Sequence, residues 1–146
     1  MEDSEWACTL DRTIPSSKDE GHKLIEQLVA ALNEADWKDR DFFHVQMAAE
    51  EAMINAVTHG NKEASDKVVE IEFKVSKNSV FMRFKDQGEW FRPDELPDPT
   101  ADDILEKDHG RGVYLIRKMM NEVSYNDAGN EVVMIKHRQP EGVVEG

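Results

Sequence analysis

The run Glu51-Ala-Met-Ile-Asn55-Ala-Val-Thr-His59-Gly60-Asn61 decides how this chain is read. Starting near Asp39–Asp41, the residues Val45, Ala48, Ala49, Ala52, Ala56 and Val57 recur at helical spacing, and Gly60 is a natural stop. The spacing therefore predicts one amphipathic helix ending at Gly60. Its packing stripe is mostly alanine, so it is able to lie close against a sheet. Residues four apart differ by only ~40° around a helix, which places Glu51, Asn55 and His59 on one face. That line of polar groups also fits the solvated side of an ordinary amphipathic helix.

Outward from this helix, the chain alternates between the two regular periodicities. Upstream, residues 5–14 read as a strand ending at Pro15. Ser17 with Glu20 has the spacing of a capping box, and Leu24, Ile25, Leu28, Val29 and Leu32 then define a helix over about 17–34. Downstream, 67–75 alternates Val69, Ile71, Phe73 and Val75 with Glu70, Glu72 and Lys74, the pattern of a sheet covered on one face. A second strand over 79–85 follows across Ser76-Lys77-Asn78, short enough for a hairpin. Residues 87–109, polar and containing Pro93, Pro97 and Pro99, are expected to form a lid. A helix over about 112–121 and strands near 122–126 and 131–137 complete the chain, with 139–146 as a tail. The order β-α-α-β-β-(lid)-α-β-β predicts an α+β fold: a two-layer α/β sandwich with one mixed sheet and helices on one face.

Composition bounds the function. The 146 residues suit a single domain over 1–146, with a core of about 5–138. With 18 Lys+Arg against 31 Asp+Glu, the net charge of −13 argues against direct binding of nucleic acid or an anionic membrane, both polyanions. Cys8 is the lone cysteine, and no Cys/His cluster has zinc spacing. The acidic start lacks the basic and apolar stretches of a secretory signal, and no ~20-residue apolar run is present, so a cytoplasmic protein is expected. Met47, Met53, Met119 and Met120 sit among apolar neighbours, as core or dimer packing requires.

Three pieces carry candidate chemistry. On the second helix, the Asn55 amide oxygen suits a hard cation such as Mg²⁺, while the Glu51 carboxylate is placed to take a proton nearby. Asp86-Gln87-Gly88 follows a strand; a carboxylate there is able to accept from an exocyclic amine such as that of adenine. Gly88 lets a flat ring lie against backbone, although Asp-x-Gly is equally a common turn. Gly110-Arg111-Gly112 opens a helix, where bare backbone N–H groups suit phosphates and Arg111 adds charge; a hinge has the same composition. An acidic protein that binds an anionic nucleotide needs such local compensation.

With those residues in hand, the chain resembles the GHKL-type (Bergerat) ATP-binding fold of gyrase and histidine kinases. Within it, the chain is similar to the small anti-sigma-factor serine/threonine kinases of the RsbW-like group. The resemblance covers about 5–138 and is carried by Glu51 to Asn61, by Asp86-Gln-Gly88-Glu-Trp-Phe91-Arg-Pro93 and by Gly110-Arg-Gly112-Val-Tyr-Leu-Ile. Met119-Met-Asn-Glu-Val-Ser-Tyr125 and Gly129-Asn-Glu-Val-Val-Met-Ile-Lys136 continue it. It implies ATP and Mg²⁺ as cofactors, with Asn55 as the metal ligand and Glu51 as the general base. It implies Asp86 and Gly88 at the adenine, and Gly110, Arg111 and Gly112 at the phosphates. The implied partners are a STAS-type anti-anti-sigma protein as Ser/Thr acceptor and a sigma factor, and the implied assembly is a homodimer. The alternative reading is a catalytically inactive ATP-binding interaction module. The chain departs from the family at Asn130-Glu131, where Thr is frequent, at Asn121, where Asp is frequent, and in a short Gly-x-Gly phosphate loop.

Overall fold

The computed structural model describes residues 6–61, 64, 66–88, 115–127 and 130–138. The expected lid beyond Gly88, the Gly110-Arg111-Gly112 segment, the start of the third helix and the 139–146 tail lie outside the described residues. Strand β1 (Cys8–Pro15) leads into helix α1 (Lys18–Glu34), then α2 (Asp39–Ile54). A π-helical turn (Asn55–Gly60) extends α2, followed by β2 (Val68–Val75) and β3 (Ser79–Lys85). A short helix over 115–119, α3, precedes β4 (Glu122–Tyr125) and β5 (Glu131–His137).

Local chemistry sets these boundaries. Ser17 caps α1, its hydroxyl accepting from the Glu20 N–H at 3.3 Å, which satisfies one of the first-turn donors. Only this half of the predicted capping box forms, because the Ser17 N–H donates to the Pro15 carbonyl at 2.7 Å. Asp39 and Asp41 lie in the first turn of α2, where the helix dipole favours negative charge. The β2–β3 hairpin closes on Ser76, whose hydroxyl oxygen accepts from the Ser79 N–H at 2.9 Å.

Among the described residues the sheet has the order β1-β2-β3-β5-β4, and its four pairings are all antiparallel. The sequence pattern predicts a mixed sheet, and here the structure corrects it. The long connection between β3 and β5 includes β4 and returns β5 against β3 in the opposite direction, so no parallel pair is needed. Val69, Ile71, Phe73, Val80, Met82, Phe84, Val132 and Met134 line one sheet face. They join Leu24, Leu28 and Leu32 of α1 and Val45, Ala49 and Met53 of α2 in one core. The alternate residues, including Glu70, Glu72, Lys74 and Arg83, point away from that core, which makes the predicted two-layer α+β sandwich.

Candidate functional site

The alanine stripe of α2 determines where space is left. Ala48 and Ala49 are fully buried, and Ala52 and Ala56 continue the stripe one and two turns on. With Phe84 and Val132, Ala52 and Ala56 line a small cleft that is open to solvent. Asn55, Asp86, Ile116, Tyr125, Asn130 and Glu131 complete its lining. Two predicted site residues from distant parts of the chain, Asn55 and Asp86, thus meet at one cavity.

Asn55 is 5% exposed, and its Oδ1 atom has no hydrogen-bond partner. A buried carboxamide oxygen left so is costly, on the order of 1–3 kcal/mol, unless a ligand completes it. A hard divalent cation is such a ligand, since Mg²⁺ takes oxygen donors and is usually shared between few protein groups and phosphates. The residue therefore fits the metal role. Among the described residues no three His, Cys, Asp or Glu side chains converge as a self-sufficient metal cage.

Asp86 is 3% exposed at the end of β3 and is held from several directions. Its N–H donates to the Asn130 carbonyl at 2.9 Å, and its Oδ1 accepts from the Gly88 N–H at 2.7 Å. The carboxyl lies over the end of the π turn: a Cβ placed on Gly60 would sit 2.3 Å from it. A Cβ on Gly88 would sit 1.9 Å from the Gly60 carbonyl oxygen. The close approach that Gly88 permits is thus made by the protein's own backbone at Gly60.

The far wall is set by the β4–β5 hairpin. The Asn126 side chain accepts from the Asn130 N–H at 3.0 Å and donates to the Asn130 Oδ1 at 2.6 Å. Glu131 is bound by Arg83 at 3.0 Å. Burial opposes the charge of Arg83, yet hydrogen bonds to Glu131 and Glu72 outweigh it and hold the guanidinium above its ordinary value. Burial pushes the Tyr125 phenol well above the usual tyrosine range, against the pull of the Arg117 guanidinium 5.6 Å from its ring. Tyr125 consequently faces the cleft as a neutral group.

Glu51 lies one turn before Asn55 on α2, half-buried, and does not line the cleft. Gly110, Arg111 and Gly112 lie outside the described residues. Sequence reasoning assigned no role to Phe84, Ile116, Tyr125 and Val132, because apolar residues at a cleft wall keep the same periodicity as those in the core. Asn61 was also without a role, although its polarity directly after a helix stop was visible.

An alanine-faced helix over an antiparallel five-stranded sheet, with the cleft between them, defines a two-layer domain of the GHKL type. The family described as histidine kinase-like ATPase domain matches residues 14–136, and the chain belongs to it, in its RsbW-like serine-protein kinase group. The serine-protein kinase RsbW of Bacillus subtilis is 32% identical over 108 residues, covering 68% of this chain and 66% of its own length. RsbW of Bacillus velezensis is 30% identical over 115 residues, covering 73% and 71%. The serine/threonine-protein kinase BtrW of Bordetella bronchiseptica is 25% identical over 109 residues, covering 72% and 77%. The chain thus spans about two thirds to three quarters of the length of these relatives. In the crystal structure of the RsbU and RsbW domains of a Mycobacterium tuberculosis protein, the likeness covers 95% of this chain and 35% of that one. Its TM-score is 0.60 at 17% identity, a likeness of fold. Among the described residues no helix is long and apolar enough to cross a membrane.

Proposed function

We propose that the protein is an ATP-dependent protein serine/threonine kinase of a partner-switching system. In this reading it phosphorylates a STAS-type anti-anti-sigma protein and, in the alternative complex, sequesters a sigma factor. The observation that carries the reading is the meeting of the buried, unsatisfied Asn55 oxygen with the Asp86 carboxylate at one cleft. The kinase names of the similar RsbW and BtrW proteins support it.

The residues divide the work. Asp86 accepts from the adenine amine, and the apolar wall of Phe84, Ile116 and Val132 covers the ring. Asn55 supplies an oxygen to Mg²⁺, which neutralises phosphate charge when bound. Glu51 takes the proton of the acceptor hydroxyl as that oxygen bonds to the γ-phosphorus and ADP leaves with the electrons of the broken P–O bond. Gly110, Arg111 and Gly112 are assigned to the phosphates on the strength of the family resemblance. Phosphoryl transfer asks a protein mainly for positioning and charge stabilisation, which so small a set is able to provide.

The second reading, an ATP-binding module without transfer, draws on Glu51 lying outside the cleft lining. Incubation with ATP, Mg²⁺ and a cognate STAS protein separates the two. Phosphate on the STAS protein that disappears with Glu51→Ala is the kinase outcome. Tight complex formation with no transfer by the unaltered protein leaves the module.

A further inference from the structure

The end of the π turn carries a polar clamp that the reading above does not use. Asn61 is 1% exposed, and its own N–H donates to the Ala56 carbonyl at 2.9 Å, the five-residue bond that closes the turn. Its side chain reaches in two directions. The Nδ2 donates to the Val68 carbonyl at the start of β2 at 2.9 Å. The Oδ1 accepts from the Gln87 N–H at 2.7 Å. Gln87 returns to the same place, its Oε1 accepting from the Val68 N–H at 2.8 Å. Asn61, Gln87 and Val68 form a closed circuit of hydrogen bonds joining the helix layer, the first residue of β2 and the loop after β3.

Gln87 is the residue between Asp86 and Gly88. Three consecutive N–H groups of this loop are thus taken: Asp86 by the Asn130 carbonyl, Gln87 by Asn61 and Gly88 by the Asp86 carboxylate itself. Only the middle one is held by a side chain from the segment that also carries Asn55. A carboxylate recognises a base edge only when held in register, since hydrogen bonds weaken steeply with misalignment.

We propose that Asn61 is a positioning residue which, through the Gln87 N–H, holds the Asp86 carboxylate in register for a 6-amino purine and so sets the preference for adenine over guanine nucleotides. This rests on the adenine role given to Asp86 under the proposed function. Guanine presents a carbonyl where adenine presents its amine, so a well-placed carboxylate favours one and repels the other. Loosening the loop costs the discrimination first and leaves the phosphate contacts as they were.

The test is calorimetric binding of ATP and GTP, each with Mg²⁺, to the full chain and its variants. Asn61→Ala is expected to lower the ratio of ATP to GTP affinity by about tenfold, the size of losing the adenine amine's hydrogen bond to the Asp86 carboxylate, with GTP affinity nearly unchanged. Asn61→Asp keeps an acceptor facing the Gln87 N–H but sets its second oxygen against the Val68 carbonyl, so it is expected to restore the ratio in part. Gln87→Ala leaves that N–H in place and is expected to keep it. A merely structural role for Asn61 lowers both affinities together and the melting temperature with them, and that result overturns the proposal. Should Asn61→Ala not fold, Asn61→Ser, whose hydroxyl is too short for the same reach, takes its place with the same expectation. Asp86→Asn separates the two levels. If it leaves the ATP preference intact, the adenine reading itself fails. If it abolishes the preference while Asn61→Ala and Asn61→Ser retain it, only the positioning role fails.

Discussion

Asn55 and Asp86 are both buried polar groups at one cleft, yet their surroundings differ. Asp86 is anchored by its own loop, with the Gly88 N–H on its carboxylate, whereas the Asn55 oxygen has no protein donor. A preorganised acceptor suits recognition of a neutral donor such as an amine, and an unsatisfied oxygen suits a cation that arrives with its ligand. Asn55→Ala removes that oxygen together with its burial cost, so the folded protein is expected to lose little stability. ATP affinity measured with and without Mg²⁺ is expected to become the same in this variant. Mg²⁺ that still tightens ATP as it does in the parent protein would remove Asn55 from the metal role.

At the scale of elements, the helix continuing α2 changes character where the site begins. Residues Asn55–Gly60 are π-helical, and the Asn61 N–H bonds five residues back to Ala56. A π turn inside a helix is uncommon and concentrates at functional sites. Here it directs Asn61 toward Val68 and Gln87 and sets Gly60 beneath the Asp86 carboxyl, placements that tertiary contacts stabilise. The helix-to-helix corner shows a different local cost. Asp36 follows the α1 cap with φ 65°, a left-handed conformation that non-glycine residues adopt at a penalty. Asp36→Gly keeps the backbone carbonyl that Arg138 binds and is expected to raise stability by about 0.5–1 kcal/mol, read from the urea midpoint. A lowered midpoint would mean that the aspartate side chain itself contributes more than the strain it imposes.

Across the whole molecule, the residue that follows β5 ties together segments that are far apart in sequence. Arg138 donates to the carbonyls of Ala35, Asp36 and Lys77, and its guanidinium lies 5.5 Å from the centre of the Trp37 ring. Trp37, 1% exposed, donates through Nε1 to the Ser76 carbonyl at 2.8 Å. The α1–α2 corner, the β2–β3 hairpin and the end of β5 are thereby fastened at one point, remote from the cleft. Arg138→Ala is expected to cost about 1–3 kcal/mol of folding stability, since it strips a charged donor from three carbonyls. ATP affinity below the melting range is expected to be unchanged, and a change in affinity at unchanged stability would show that this corner communicates with the site. Much of the architecture was legible beforehand because periodicity reports burial directly. The strands over 79–85 and 131–137 and the alanine stripe of α2 all formed where alternation or helical spacing placed them. What a single chain determined on its own was which residues turn inward, along with the types of side chain available for chemistry at Asn55 and Asp86. Tertiary structure alone decided the all-antiparallel pairing, the π turn and the Asn61 circuit. The pairing and the circuit consist of hydrogen bonds between segments far apart in sequence, and these hold the local bonds of the π turn in place; no local pattern of polarity specifies which distant donor an acceptor will meet.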